Sequence, residues 1–521
     1  MKKVIAVLVC VMLAVGISGC GGKSVVDSDS TAIRWVGTTN QPVELDSATQ
    51  KFIEEKFNVK LDIVSITSSY YEKLGSMFAS KDIPDVMFMN EQSNWQPLAD
   101  QGIITAVSMD MIKEYAPNHY NDIENFNSNV WVSGMYKDRN WVIPKLIGDE
   151  YNTVAVWRKD WLTNVGIDKV PETLEEYEEA FIKIRNEDPD GNGEKDTYGM
   201  TGAGGATQRQ FDDIFGAFGV MPGQWTIKDG KVENGTISEK SRDALELLNK
   251  WYDMELIDPE MLTDDQNAMW KKFDMGRTAT MHTALSNLSE HTATGKANLE
   301  NYKAAYPNSP RELGITALPK GPNGDNGDWL WGPRSNYIAF GIQLSKNQEK
   351  LISILKVLDG INYDEETALR VVFGEKGRTY DFIDPAMGAA SGIKYLPPYD
   401  TDVNARAKEG IGQGGFFNMF SPASNWTSSE IMAKYINQDF LNQNREIAAT
   451  GSYRDQLMRP DLPSSARFQG ELDKLKTTAY SEFITGKRKI SDWDAFVSEF
   501  NTKGGETLAR EAQEYYEKYM K

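Results

Sequence analysis

The sequence predicts an α/β fold with more than one domain. Residues 32–89 alternate between short apolar segments and amphipathic segments, the pattern of strand, helix, strand, helix and strand. A second series of short strands and amphipathic helices begins near residue 142. The chain has 521 residues, of which 40% are hydrophobic, so two or three domains are expected.

The N-terminus has the features of a lipoprotein signal peptide. Two lysines precede an uncharged, mostly apolar run that extends to Gly19 and is shorter than the roughly 20 residues of a membrane span. The run ends in ISGC at residues 17–20, which resembles the lipobox of bacterial lipoproteins. We expect residues 1–19 to be a signal peptide, Cys20 to be the lipidated N-terminus and residues 20–30 to be a flexible tether. An ordinary secretory signal and a retained membrane anchor are the alternatives.

Charge and cysteine content fit a protein outside the cytoplasmic membrane. The net charge is -20, which argues against binding to nucleic acid or to anionic lipid through electrostatics alone. The two cysteines are Cys10 and Cys20, so cleavage of the signal would leave no pair for a disulfide. A chain of this size does not need one, because its core is large enough without covalent links.

The first α/β unit contains three predicted strands, at residues 32–36, 59–66 and 85–89. A helix follows the capping pair Asp46-Ser47, and a second helix is predicted at 69–80. Strands connected in this way pair in parallel. Ligands of such sheets bind beyond the carboxyl ends of the strands. In this unit those ends lead into residues 37–40 and 90–95.

The second unit begins with predicted strands at 142–145 and 153–157. A short helix at 158–165 is ended by Gly166, and a capping box, Thr173 with Glu176, starts an amphipathic helix. Further helices are predicted at 238–254 and 264–275, and a strand at 277–282.

A loop rich in oxygen ligands follows the amphipathic helix. Residues 188–199 read DPDGNGEKDTYG, in which side-chain oxygens recur every second residue and a glycine occupies the sixth position, as in calcium-binding loops. The predicted ligands are Asp188, Asp190, Asn192, the backbone carbonyl of Glu194, and Asp196. The twelfth position is Gly199 and not the usual glutamate, so water or a remote carboxylate would complete the shell. We predict a structural Ca²⁺ site, with a solvated acidic turn as the alternative.

Three segments resemble the extracellular solute-binding proteins. They are KLGSMFASKDIPDVMFMN at residues 73–90, YNTVAVWRKDWLTNVG at 151–166, and the C-terminal segment 491–519. The nearest subgroup is the lipoprotein sugar-binding components of ABC importers, similar to binders of alginate and other complex oligosaccharides.

This resemblance implies a type II periplasmic-binding-protein-like fold, in which two α/β lobes are joined by crossing hinge segments and close on ligand. It places residues 31–140 and 277–340 in the amino-terminal lobe. Residues 141–276 and 341–521 then form the carboxy-terminal lobe.

Aromatic residues near predicted loops are the main candidates for ligand contacts. An indole ring can stack on the apolar face of a sugar while polar side chains bind its hydroxyls, although each tryptophan alone could equally belong to the core. The strongest candidates are the pair Trp329 and Trp331 in DWLWGPR. The others are Trp225, Trp270, Trp426, Tyr70, Asn90, Glu91, Tyr151, Arg158 and Asn287.

Catalytic motifs are not evident. The three histidines, His119, His282 and His291, lack the spacing of metal ligands and are interpreted as surface or core residues. No nucleophile elbow of the form G-x-S-x-G occurs. We therefore expect no catalytic residues and no enzymatic activity.

The predicted function is capture of a carbohydrate, expected to be an oligosaccharide, and its delivery to an ABC-type permease. The predicted partners are the sugar, the permease and the membrane reached through the lipid anchor, with no nucleic acid and a monomeric state. The alternatives are a binding protein for peptides or a sensory partner, and a secreted carbohydrate-active enzyme.

Overall fold

The computed structural model contains two main sheets, each packed between helices. It describes residues 30–38, 42–90, 92–146, 153–202, 211–284, 288, 293–308, 311–330, 334–411, 431, 434–435, 446–447 and 452–521. Among these residues, no helix combines the length and the apolar character needed to span a membrane.

The strands are short, as the sequence pattern indicates. In chain order they are β1 (Thr31–Thr38), β2 (Val59–Ile66), β3 (Val86–Met89), β4 (Met135–Tyr136), β5 (Arg139–Asn140), β6 (Val142–Leu146), β7 (Thr153–Arg158), β8 (Trp225–Lys228), β9 (Lys231–Asn234), β10 (Thr280–Ala284), β11 (Leu313–Thr316), β12 (Asp328–Leu330), β13 (Arg334–Phe340), β14 (Tyr380–Phe382), β15 (Ile393–Tyr395) and β16 (Ser452–Arg454).

The α-helices cover the faces of the sheets. In chain order they are α1 (Ala48–Phe57), α2 (Tyr70–Ala79), α3 (Gln92–Asp100), α4 (Met109–Tyr115), α5 (Pro117–Asn127), α6 (Lys159–Asn164), α7 (Leu174–Asn186), α8 (Asp212–Ala217), α9 (Glu239–Asp253), α10 (Gln266–Asp274), α11 (Ala293–Ala305), α12 (Gln348–Tyr363), α13 (Glu365–Phe373), α14 (Val403–Glu409), α15 (Ser465–Ile484), α16 (Trp493–Phe500) and α17 (Glu506–Tyr519).

The first sheet has five strands in the order β2-β1-β3-β13-β6. β1 pairs in parallel with both β2 and β3, as predicted for the first α/β unit. β13 runs antiparallel between β3 and β6, so β6 points in the same direction as β3. Val86 and Phe88 face one buried cluster and Met87 and Met89 face another, so β3 is covered on both faces. Such burial explains why the strand is an uninterrupted apolar run.

The second sheet has three strands in the order β10-β7-β11, with both outer strands antiparallel to β7. Along β7, Ala155 and Trp157 face the largest buried cluster, while Val154 and Val156 face a smaller one beside α10. Helices α7, α9, α15, α16 and α17 contribute to the largest cluster. The C-terminal helices therefore stabilise the second sheet.

Strand pairing and helix packing place four elements in the other lobe from the one predicted. β6 belongs to the first sheet, β10 and β11 belong to the second sheet, and α12 packs on the core of the first sheet through residues such as Ile354 and Leu358. The expected boundaries at residues 140, 277 and 341 therefore do not match the pairing. The sequence of a short apolar strand does not specify which strand it pairs with, because the pairing depends on contacts between residues that are distant in the chain.

The predicted helix termini are confirmed. Ser47 caps α1 by accepting the N–H of Gln50, and Thr173 with Glu176 forms a complete capping box at α7. Gly166 adopts a positive φ of 73° directly after α6, as expected of a glycine at C′.

Candidate functional site

The carboxyl ends of three parallel strands, where ligands commonly bind, lie at one edge of the first sheet. β1, β3 and β6 run in the same direction, so their carboxyl ends meet at one edge, together with the amino end of β13. At this edge Asn90 follows β3 and is exposed, and its backbone N–H donates to Oη of Tyr71 at 2.8 Å. Asn90 lies at the sheet edge where ligands of such folds commonly bind, and its role in binding remains a prediction.

The corresponding edge of the second sheet is the end where Thr153 begins β7 opposite Ala284, the last residue of β10. Only residues 147–152 separate the end of β6 from the start of β7, so the chain between Leu146 and Thr153 spans at most about 25 Å. The edge of the first sheet that carries Asn90 and this edge of the second sheet are therefore connected by one short crossing.

A second crossing leads from β12 to β13. Leu330 ends β12 and Arg334 begins β13, so these residues are at most about 14 Å apart. β12 pairs in parallel with β16, and the segment after β16 contacts both lobes. Met458 packs in the core of the first sheet, and the N–H of Asp461 donates to Oε1 of Gln92 at 2.6 Å.

Trp329 lies on β12 beside the second crossing, but its ring is buried. It is 8% exposed and lies opposite Tyr453 in the ladder. A Cβ built on Gly223 would lie 3.6 Å from Cζ3 of Trp329 and 3.7 Å from Nζ of Lys476, which is ordinary van der Waals contact. Because its ring is buried, Trp329 does not present an open stacking surface in this conformation.

The other described aromatic candidates also pack internally. Trp225 is 7% exposed, and its backbone N–H donates to Oδ2 of the buried Asp455 at 3.0 Å. Trp270 packs on the α10 face of the second sheet. Tyr70 packs edge-on against Tyr71 and Phe88. These positions fit core packing, which the sequence analysis left open for each aromatic residue.

Arg158 lies at the opposite end of β7 from the crossing. Its guanidinium donates to both carboxylate oxygens of Asp160, at 2.9 and 2.5 Å, and lies over the rings of Trp161, Tyr302 and Tyr306. This placement removes Arg158 from the candidate ligand site. It was selected because a loop position was expected, whereas Arg158 is the last residue of β7 and lies at the end of the strand far from the crossing.

The remaining predicted ligand residues lie outside the described residues. They are Trp331, Trp426, Glu91, Tyr151 and Asn287, and Cys20 lies outside them as well. Their assignment remains a prediction from sequence.

Two charged side chains that sequence analysis did not select lie near the connected edges. Lys145 is the penultimate residue of β6, and burial lowers its pKa to about 8. His282 lies two residues before the end of β10, with Nδ1 3.3 Å from Oδ1 of Asp213. Burial alone would lower the pKa of His282, but attraction to Asp213, and then to Asp328 and Asp212, raises it to about 9. A lysine within the apolar strand VIPKL was the available sequence signal for the first of these.

The predicted calcium loop brings its oxygen atoms close together. Nδ2 of Asn192 donates to Oδ2 of Asp190 at 3.0 Å and to Oδ1 of Asp196 at 3.3 Å, and Asp188 accepts the N–H of Gly193 at 2.9 Å. Burial, the neighbouring Asp188 and the charge of Asp196 raise the pKa of Asp190. No group of three or more His, Cys, Asp or Glu side chains in the described part of the chain is arranged to hold a metal ion. In this conformation the Asn192 amide group occupies the space among the carboxylates.

The second half of the loop is held by protein contacts. Arg185 donates to the carbonyl of Lys195 at 2.7 Å and to Oε2 of Glu255 at 2.9 Å. At the twelfth position, a Cβ on Gly199 would lie 2.3 Å from the ring of Phe181. An acidic ligand at position twelve is therefore sterically excluded, which explains the departure from the calcium-loop pattern.

Comparison with known proteins identifies the family. Residues 39–358 match the model described as bacterial extracellular solute-binding protein. The chain is 25% identical over 472 residues to lipoprotein LipO of Bacillus subtilis strain 168, covering 86% of this chain and 84% of LipO. It is 24% identical over 394 residues to the polygalacturonan/rhamnogalacturonan-binding protein YtcQ of the same strain, covering 72% and 73%.

A solved structure supports the same assignment at the level of the fold. The Streptococcus pneumoniae ABC-transporter substrate-binding protein FusA in complex with kestose is similar with a TM-score of 0.65 at 18% identity, covering 94% of this chain and 99% of FusA. The predicted type II periplasmic-binding-protein-like fold is thereby confirmed. The match to the family model spans more than half of the sequence, and this chain belongs to the bacterial extracellular solute-binding proteins.

Proposed function

We propose that the protein captures an oligosaccharide outside the cell membrane and delivers it to an ABC-type importer. The observation that carries the proposal is the connection of two sheet edges by short crossings, within a family of solute-binding proteins. FusA is a fructooligosaccharide-binding relative, and YtcQ is a polygalacturonan/rhamnogalacturonan-binding relative. Both support a saccharide as the ligand class.

Closure on the ligand follows from the arrangement of the crossings. A ligand favours the closed form only through contacts that it makes with both lobes at once. Asn90 and Lys145 lie at the edge of the first sheet, and His282 lies near the edge of the second. A chain of several sugar units is long enough to contact both edges, whereas a small solute would have to rely on fewer groups.

The proposal is tested by ligand screening combined with solution scattering. A saccharide present at about 100 times its Kd should stabilise the protein by roughly 2.7 kcal/mol in a thermal-shift assay. The same saccharide should reduce the radius of gyration. Stabilisation by peptides and by none of the saccharides would contradict the ligand class. Turnover of a saccharide would favour an enzyme.

Lipid anchoring is proposed from the lipobox and is supported by the similarity to lipoprotein LipO. The Cys20→Ala variant should lose its lipid and should no longer enter the detergent phase when membranes are partitioned. Unchanged partitioning of this variant would contradict the assignment of Cys20.

A structural Ca²⁺ site is proposed for residues 188–196. The carboxylates of Asp188, Asp190 and Asp196 are hard oxygen donors. Burial, and then the neighbouring Asp188 and Asp196, raise the pKa of Asp190, and a bound divalent cation would lower it. Because Arg185 already holds the second half of the loop, we expect calcium to order mainly the first half. Chelation should lower the Tm of the wild type but not that of Asp190→Ala. Equal melting with chelator and with added calcium would contradict the site.

A further inference from the structure

Lys145 occupies an unusual position for a lysine. It lies within β6, an edge strand of the first sheet, next to the last residue of the strand. β6 is otherwise apolar, and Val142, Ile143 and Leu146 are buried. Lys145 itself is partly buried, at the edge where the carboxyl ends of β1, β3 and β6 meet. Lys145 therefore lies one residue before the crossing between the two lobes begins.

No described residue supplies a counter-ion for Lys145. Burial is the single influence on its pKa, and no charged or titratable group of the described residues acts on the ammonium. The described part of the chain also gives it no hydrogen bond or ion pair. Two other lysines that are shielded from solvent do form ion pairs. Nζ of Lys350 lies 2.5 Å from Oδ2 of Asp85, and Nζ of Lys272 lies 2.6 Å from Oδ2 of Asp264.

The pairing of β6 with β13 is irregular at this lysine. Leu146 pairs with Arg334 and Pro144 pairs with Tyr337, so β13 has one more residue than β6 between these two pairs. Lys145 is the β6 residue between them. Bulges of this kind redirect side chains and frequently occur beside binding sites. The strand pairing is thus irregular at Lys145, the residue that lacks a counter-ion among the described residues.

We propose that Lys145 binds a carboxylate of the ligand, so that the saccharide recognised by this protein is an acidic one containing uronic acid units. The inference rests on the proposed function. A partly desolvated ammonium is unfavourable until an anion approaches, and a charge-assisted hydrogen bond to a carboxylate is stronger than one to a neutral hydroxyl. Lys145 therefore gives an acidic saccharide an advantage over its neutral counterpart.

The test compares matched ligands and matched variants. Oligogalacturonate, oligoalginate and hyaluronan oligosaccharides are screened beside their methyl-esterified forms and beside neutral fructo-oligosaccharides, and the best acidic ligand is taken to calorimetry. We expect Lys145→Gln to weaken binding of this ligand at least tenfold and to leave binding of its ester unchanged. Lys145→Arg should retain most of the affinity. Lys51→Gln, which removes an exposed charge from α1, serves as the control and should bind as the wild type does.

A second readout concerns protons. Because the pKa of Lys145 is about 8, a carboxylate that binds at pH 8 should draw about half a proton from the buffer. Calorimetry in two buffers of different ionisation enthalpy measures this uptake, which should vanish in Lys145→Gln.

Each outcome separates the two proposals. Equal affinity for the acid and its ester, a preference for neutral saccharides, or unchanged acid binding by Lys145→Gln would overturn the role of Lys145 and leave the proposed function intact. Stabilisation by no saccharide of the panel would overturn the proposed function and this inference with it. If Lys145→Gln does not fold, the acid-to-ester preference and the proton uptake of the wild type still decide the question.

Discussion

Each lobe contains a histidine shielded from solvent, and the surroundings shift the pKa values of the two imidazoles in opposite directions. His119 lies on α5 beside the first sheet, where Nε2 is 2.9 Å from the carbonyl oxygen of Pro144 and Nδ1 is 3.0 Å from Oη of Tyr363. Burial lowers the pKa of His119 to about 4. His282 lies on β10 of the second sheet, where Asp213 and two further aspartates raise the pKa to about 9.

The difference shows that the carboxylates facing an imidazole decide its charge, and that burial alone does not. Asp359 lies near His119, but its carboxylate accepts the backbone N–H of His119 at 3.0 Å and an amide N–H of Asn118 at 2.7 Å. Asp122 accepts a hydrogen bond from the hydroxyl of Tyr363 at 2.8 Å. In the second lobe, Oδ1 of Asp213 faces the imidazole itself. The pKa of the histidine in the first lobe is therefore lowered, and the pKa of the histidine in the second lobe is raised.

The largest expected effect comes from removing the carboxylate that charges His282. Asp213→Asn should lower the pKa of His282 and reduce the free energy of unfolding by about 3–4 kcal/mol at pH 7, because it breaks a buried ion pair. Urea denaturation measures the loss, and NMR titration of the imidazole measures the pKa. Asp243→Asn, which removes one partner of the exposed pair with Arg242, is the control and should cost about 1 kcal/mol or less. A loss as small as that of the control would contradict the comparison.

The second prediction is that pH acts on the two histidines in opposite directions. The pKa of His282 is raised in the folded protein. Its contribution to the free energy of unfolding is therefore complete below the unfolded pKa of about 6.5 and is lost as the pH rises through 9. The folded pKa of His119 is lowered, so its contribution is complete above about 6.5 and is lost as the pH falls through 4. Each shift corresponds to about 3 kcal/mol.

Unfolding midpoints in urea between pH 4 and pH 9 test both arms. His282→Gln should remove the loss of stability at alkaline pH and leave the loss at acidic pH unchanged. His119→Gln should remove the loss of stability at acidic pH and leave the loss at alkaline pH unchanged. If either variant flattens both arms equally, the two charge states are not independent properties of the two lobes.

The smallest effect tests a feature in which the lobes are alike. Thr173→Ala at α7 and Ser47→Ala at α1 each remove an N-cap and should each reduce the free energy of unfolding by about 1 kcal/mol. The exchanges Thr173→Ser and Ser47→Thr keep the capping oxygen and should be close to neutral. Losses below a few tenths of a kcal/mol in both alanine variants would show that neither cap contributes.

Local features were predictable because they depend on neighbouring residues. The capping box at Thr173, the cap at Ser47 and the limits of β2 follow from propensity and hydrophobic spacing within a few residues. The partner of β10 did not follow, because RTATMH could pair with either sheet and its partner β7 is set by distant contacts. The assignment of β6 to the first sheet was missed for the same reason.

The site was less predictable than the fold. Residues at strand ends, such as Asn90, could be placed from the α/β rule alone. The tryptophans were selected by chemistry, yet Trp225 and Trp329 are buried, since a large apolar ring is also the residue most useful to a core. Lys145 and His282 were not selected, because what distinguishes them is the presence or absence of a facing carboxylate. Only the three-dimensional arrangement reveals that.

The position of β13 has a consequence for biosynthesis. This strand lies between β3 and β6, yet it is encoded at Arg334–Phe340, long after both of its partners. A chain that emerges N-terminus first can pair β1 with β2 and β3, but the edges of β3 and β6 that pair with β13 in the described structure stay open until residue 340 has appeared. Open strand edges invite pairing with other chains. A fragment that ends before Arg334 should therefore aggregate, whereas the complete chain closes this sheet around a strand that arrives late.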